Sequence, residues 1–103
     1  MASSNPPKKN VALITDIMLK DYNNPGNFRV NPTIAAGDFK VSIDGGTLTN
    51  LATLPVVEPA GSRGVKISLS AAEMNGDRIR VEAIDQTAPK EWADSGFCIL
   101  TTA

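Results

Sequence analysis

The chain has 103 residues, ten basic and eleven acidic side chains, a formal net charge of −1 and no histidine. This length fits one domain with its own core. The near balance of charge gives no field for attracting nucleic acid or an anionic membrane, so we expect neither as a partner. The absence of histidine removes the commonest general base and the commonest metal ligand.

Three further features of the sequence concern where the chain is made and whether it enters a membrane or is secreted. The single Cys98 excludes an intrachain disulfide and fits synthesis in a reducing cytosol. No run approaches the roughly 20 apolar residues that a membrane-spanning helix needs. The first ten residues lack the apolar stretch of a secretion signal, so we expect none.

Residues 1–10 are polar and contain Pro6-Pro7 followed by Lys8-Lys9. Proline restricts the backbone and removes an amide donor, so we predict an extended N-terminal arm over residues 1–10. Such a segment is either a disordered tail or an arm that becomes ordered on a partner. Residues 11–103 are predicted to form a single β-sandwich domain.

The first half of the domain contains two strand patterns. Val11 to Leu19 is the most apolar run, and its β-branched residues favour a strand, although a short helix remains an alternative. A loop of turn-forming residues follows, with Pro25-Gly26 predicted as the centre of a type II turn. Residues 38–43 then alternate polar and apolar side chains, which predicts a strand. Asp44-Gly45-Gly46 after them predicts a hairpin.

The second half begins with an edge strand and ends with a broken strand. Pro55 and Pro59 flank a short segment suited to a sheet edge, because proline cannot donate to an interior ladder. Residues 65–69 and 78–82 alternate apolar and polar side chains, which predicts two further strands. We expect the closing strand, from Glu91 to Thr101, to carry a bulge at Ser95-Gly96.

The eight residues between the two alternating strands carry helix signals. Ser70-Ala71-Ala72-Glu73 matches a capping box, and Asn75-Gly76 would stop a helix after about one turn. We therefore predict a short helical turn near residues 70–76. The link is too short for a parallel crossover, so the two strands are expected to be antiparallel.

Together these patterns give seven or eight short strands separated by turns. That spacing is typical of an all-β fold with one small antiparallel β-sandwich, either immunoglobulin-like or jelly-roll-like. Alternation alone does not reveal which strands pair.

Nothing in the sequence predicts a catalytic, cofactor or metal site. No histidine can activate a serine, and the Gly-x-Ser-x-Gly pattern is absent. The turn around Asp44 offers one calcium ligand where three or four are needed. Cys98, between Phe97 and Ile99, is predicted to be a buried structural thiol. We therefore expect neither an enzyme nor a cofactor.

The candidate partner-binding residues come from three parts of the chain. Arg78 and Arg80 share a strand face with Glu82, which indicates either a self-compensated stripe or a patch for an acidic partner. Trp92 is either a core anchor or an interface anchor. The full candidate set is Pro6, Pro7, Lys8, Lys9, Arg78, Arg80 and Trp92.

Several phrases of the sequence are familiar in combination: AAGDFKVSIDGG at 35–46, NLATLP at 50–55 and LSAAEMNGD at 69–77, with Glu91-Trp92 near the end. In this combination the chain resembles small structural proteins and domains of tailed bacteriophages over most of its length. The resemblance implies a non-enzymatic virion component with a sandwich fold. It supplies no ligand-binding residues.

Four functions follow from the resemblance and the composition. The first is a capsid decoration (cement) protein that is made in the host cytoplasm and binds the major capsid protein on the outer shell as a homotrimer. The second is a neck or tail protein, such as a collar or fibre-attachment piece. The third is a receptor- or glycan-binding module, against which the small number of aromatic residues argues. The fourth, an enzyme, is disfavoured by the missing motifs.

Overall fold

A computed structural model describes residues 6–102 of the chain. As predicted, the fold is all-β, and the run after Val11 forms a strand rather than a helix. Within residues 6–102 no helix is long and apolar enough to cross a membrane. The strands are β1 (Leu13–Met18), β2 (Phe39–Ile43), β3 (Thr49–Asn50), β4 (Val56–Val57), β5 (Gly64–Leu69), β6 (Arg78–Ala83) and β7 (Ser95–Leu100).

The strands form two antiparallel sheets in a sandwich-like arrangement. One sheet has the order β1-β5-β4, and the other has the order β3-β2-β6-β7. The predicted edge strand is β4, which lies at the edge of its sheet. The predicted hairpin is also present: the amide of Gly46 donates to the carbonyl of Ile43, and Asp44 and Gly45 have positive φ.

The core lies where the inward positions of the alternating strands meet. Val65, Ile67 and Leu69 of β5 point inward, as do Ile79 and Val81 of β6. Burying such side chains stabilises the fold by roughly 1.5–3 kcal/mol each. The buried apolar residues are Leu19, Phe39, Val41, Val65, Ile67, Leu69, Met74, Ile79, Val81, Ala83, Trp92 and Ile99.

The predicted helical turn near residues 70–76 is wrong, because this segment is a series of turns. The capping-box contacts do form: the Glu73 amide donates to Ser70 Oγ, and the Ser70 amide donates to Glu73 Oε1. Met74 makes one helix-like bond to the carbonyl of Ser70, but the amide of Gly76 then bonds to Met74 two residues back. One such bond does not repay the cost of nucleating a helix.

The link over residues 70–77 has a different role from the expected one. It does not join paired strands, because β5 and β6 lie in different sheets. The link therefore crosses from one layer of the sandwich to the other. Alternation showed that both strands have an inward face, but it held no information about which sheet each would join.

Two other local predictions are wrong. The closing strand has no bulge, since β7 pairs with β6 in unbroken register from Ser95 opposite Ala83 to Leu100 opposite Arg78. The turn at Pro25-Gly26 forms, but Gly26 lacks the positive φ that a type II turn requires.

The strand registers place the connections at two opposite ends of the sandwich. We call them the arm end, which comprises residues 6–12, 44–46, 70–77 and 101–102, and the loop end, which comprises residues 19–38, 58–63 and 84–94. At the arm end the amide of Asn10 donates to the carbonyl of Met74. At the loop end the amide of Asn31 donates to the carbonyl of Ser62.

Candidate partner-binding surface

The described part of the N-terminal arm lies against the C-terminal end of the chain. Thr102 donates its amide to the carbonyl of Pro7 at 2.8 Å, and Lys9 donates its amide to the carbonyl of Thr102 at 2.9 Å. These bonds form a parallel bridge between Lys8 and Thr102. Pro6 is exposed beside them. The remaining arm residues, 1–5, lie outside the described part of the chain.

An ion pair adds a side-chain contact between the arm and the body. Lys9 Nζ lies 2.7 Å from Asp77 Oδ1. The hydrogen bond to the Asp77 carboxylate and the attraction of its charge raise the pKa of Lys9 above its ordinary value. Both side chains are well exposed, so the pair contributes little to stability. Its effect is to position the lysine on the surface.

Asp44 fixes the backbone of Arg78, the first residue of β6. Its Oδ1 accepts the amides of Asp77 and Arg78, each at 2.9 Å, and its own amide donates to the carbonyl of Arg78 at 2.8 Å. A Cβ placed on Gly45 would lie 3.1 Å from Arg78 Nη2, so the guanidinium group lies over the β2–β3 turn. The turn therefore holds the start of β6 and its arginine in one position.

The outward-facing side chains of β6 and β7 extend the exposed surface that begins at Arg78. Arg78 lies opposite Leu100, which is 71% exposed, and Arg80 lies opposite Cys98. The Arg80 Nε atom is 3.2 Å from Glu82 Oε2, so within the predicted stripe Arg80 has an acidic partner. The predicted burial of Cys98 is wrong: the register turns its neighbours Phe97 and Ile99 inward and leaves the thiol exposed.

We call this region the arm-end surface. The candidate residues of the arm and those of β6, which the sequence predicts separately, lie on one surface because the parallel bridge brings the arm to the end of β7. Within residues 6–102, Lys8 and Arg78 make no ion pair, so their charges are free to meet acidic groups on a partner. The arm-end surface comprises Pro7, Lys8, Lys9, Arg78, Arg80, Cys98 and Leu100.

Trp92 is not part of the arm-end surface. Its side chain is fully buried, its ring centroid lies 6.3 Å from that of Phe39, and its Nε1–H donates to the carbonyl of Ala83 at 3.3 Å. Of the two alternatives for this residue, the core anchor is the one observed. It offers no side-chain surface to a partner.

A second feature, at the loop end, is not predicted by the sequence. The Arg29 guanidinium lies between two carboxylates, 3.2 Å from Asp21 Oδ1 and 3.6 Å from Glu91 Oε1. A surface hollow of about 610 Å³ lies beside it and is also lined by Arg63. These residues are far apart in sequence, and the run of turn formers around Pro25 was the one available signal.

The pKa of Asp21 reflects the same loop. The Asn24 amide, which donates to Asp21 Oδ2, lowers the pKa of the carboxyl from its ordinary value of 3.8. Burial opposes this effect, whereas Arg29 and the amide of Asn23 add to it. The carboxylate therefore stays ionised at neutral pH and keeps its arginine partner in place.

The described residues contain no group of three or more histidine, cysteine or acidic side chains that could hold a metal ion. Comparisons with known proteins add no relative: no family model matches the chain, and neither the curated proteins nor the solved structures contain a similar one.

Proposed function

We propose that this chain is a non-enzymatic virion protein of a tailed bacteriophage that decorates the outer capsid surface and stabilises contacts between major capsid subunits. The observation that carries the proposal is the arm-end surface. There a proline- and lysine-containing segment is held on the body beside the exposed Leu100 and beside Arg78, which makes no ion pair within residues 6–102. Cations around an apolar residue suit a protein partner that presents acidic groups around an apolar contact.

The strand order supports a more specific fold within the sandwich class. We infer an immunoglobulin-like order in which β1, β5 and β4 correspond to strands B, E and D, and β3, β2, β6 and β7 to C′, C, F and G. The parallel bridge from Lys8 to the segment after β7 is then the remnant of a first strand. A jelly roll would need eight strands in two four-stranded sheets.

The proposal includes three copies at a symmetry axis of the shell. A ring of three is a closed arrangement that one repeated contact can form. To be stable, each contact should bury about 1,000 Å² or more. A map of the decorated particle would test this directly, because it counts the copies around each axis.

A second candidate is a neck or tail protein, such as a collar or fibre-attachment piece. It would use the same arm-end surface on a different neighbour. The number of copies in each particle separates the two candidates.

Charge reversal tests which surface attaches the chain to the particle. We expect the double variant Lys8→Glu, Arg78→Glu to lose most of its co-sedimentation with undecorated capsids, since each reversal turns attraction to an acidic partner into repulsion. The matched control is Arg63→Glu, which reverses a charge at the loop end. Circular dichroism and thermal unfolding verify that both variants fold. Equal binding by the double variant and the unaltered chain would exclude the arm-end surface.

A further inference from the structure

The loop end contains one long and well-ordered connection. Residues 19–38 join β1 to β2 without a regular strand, and loops of this length inside a small domain are commonly functional. Asp21 Oδ2 accepts the amides of Asn23 and Asn24 at 3.2 and 2.9 Å. The amide of Asn27 donates to the carbonyl of Asn24, and the amide of Asp21 donates to the carbonyl of Asn27, both at 2.9 Å.

Two other loops hold this connection from either side. The amide of Asn31 donates to Ser62 of the β4–β5 loop at 2.8 Å. Glu91, in the β6–β7 loop, accepts the amide of Tyr22 at its carbonyl and the amide of Thr33 at Oε1. Three loops thus form one fixed platform on a sandwich scaffold, which is a common arrangement for binding sites.

The hollow in this platform has a size and a lining suited to a small ligand group. Its volume of about 610 Å³ falls within the usual range for ligand sites. Phe28, which is 39% exposed, lines the hollow together with Asn24 and Asn27, whose side chains carry amide groups. Arg63 supplies a guanidinium group.

The two arginines beside the hollow differ in their ion pairs. Asp21 and Glu91 compensate Arg29 and fix its position. Arg63 has no carboxylate partner in the described part of the chain. A guanidinium group binds a carboxylate through two parallel hydrogen bonds. The hollow is therefore prepared for an anionic group that arrives from outside.

We propose that the hollow binds a carboxylated saccharide, such as a uronic acid or sialic acid residue. Arg63 binds the carboxylate, and the ring of Phe28 packs against the apolar face of the sugar. The amides of Asn24 and Asn27 bind the hydroxyl groups. Arg29 is a positioning residue, because its ion pairs hold the wall of the hollow.

The types of residue that line the hollow favour a saccharide over an acidic peptide. Asparagine amides bind hydroxyl groups, an aromatic ring packs against the apolar face of a sugar, and a guanidinium group binds a carboxylate. The inference does not depend on particle attachment, since the arm-end surface lies at the other end of the strands.

Titration of the full chain with oligogalacturonate, with the neutral galactose oligomer and with oligoglutamate of equal charge tests the proposal, by calorimetry and saturation-transfer NMR. We expect oligogalacturonate to bind and the neutral oligomer to bind about tenfold or more weakly. Arg63→Gln and Phe28→Ala should each weaken binding by a similar factor. The control Lys40→Gln, which removes a positive charge from β2, should leave binding unchanged.

Three results would overturn the proposal. The first is the absence of binding by either oligogalacturonate or free N-acetylneuraminic acid at about 10 mM, a concentration at which even weak affinities register. The second is equal binding of the charged and neutral oligosaccharides. The third is tighter binding of oligoglutamate through Arg63, which would assign the hollow to an acidic peptide. These results do not depend on particle attachment: the Lys8→Glu, Arg78→Glu variant can lose particle binding while its saccharide binding stays unchanged.

Discussion

Single residues tie the core of this protein to its loop end. Trp92 fills the core against Phe39, while its backbone forms an isolated bridge with Asp21. One residue after that bridge, the amide of Ala93 donates to the carbonyl of Lys20. The same short segment therefore anchors the sandwich and supports the platform that carries the hollow.

Replacing Trp92 with phenylalanine should destabilise the fold by about 1–3 kcal/mol, through lost packing volume and the unpaired carbonyl of Ala83. Urea denaturation measures the effect. Tyr22→Phe, which changes an aromatic side chain that is 52% exposed, is the matched control and should be close to neutral. A Trp92→Phe effect no larger than that of the control would show that the indole does not anchor the core.

Asp21 should make stability depend on pH in the acid range. Its pKa is lowered in the folded state, so its contribution is fully present above the unfolded value of 3.8 and is lost as the pH falls through the folded value. We expect Asp21→Asn to lower the melting temperature at neutral pH and the difference to shrink below pH 3.8. Thermal unfolding between neutral and strongly acidic pH measures it. A constant difference across that range would contradict this role.

At the scale of elements, the sequence predicted individual strands better than their partners. Period-two alternation gave the inward faces of β2, β5 and β6, and the prolines around β4 identified an edge strand, because both signals are local. The pairing of β1 with β5 is a long-range choice that alternation does not encode. The helical turn predicted near residues 70–76 is absent because the chain crosses between the two sheets there, and the local helix signals do not outweigh that constraint.

At Gly96 the backbones of β6 and β7 approach each other closely. A Cβ at this position would lie 2.7 Å from the carbonyl oxygen of Val81, a backbone atom that cannot move away freely. Gly96→Ala should therefore destabilise the fold by about 1–3 kcal/mol. Gly26→Ala is the matched control, since it has open space and no positive φ. Equal midpoints for the two variants in urea denaturation would contradict the close approach.

At the scale of the whole molecule, the two ends have different chemistry. The arm end gathers lysine and arginine beside an exposed leucine, whereas the loop end forms a hollow lined by Arg63, which has no carboxylate partner among residues 6–102. The sequence indicated most residues of the first site but not their proximity, because a parallel bridge between residues 8 and 102 joins opposite ends of the chain. The sequence shows almost no sign of the second site, whose lining residues come from two separate loops.

A particle protein with these two ends would attach through one and present the other to the surroundings. That orientation would follow from the opposite placement of the ends along the strands, and it would leave the hollow accessible on a decorated shell. A neck or tail location would place far fewer copies of the hollow on each particle.

The most direct measurement is the number of copies of this protein per purified virion, counted by quantitative mass spectrometry against the major capsid protein. Decoration predicts a fixed simple ratio to the capsid subunit, because the shell repeats the same binding site by symmetry. A count of about a dozen would contradict decoration and assign the chain to the neck or tail, where the symmetry is lower. Absence from the particle would contradict the virion proposal itself.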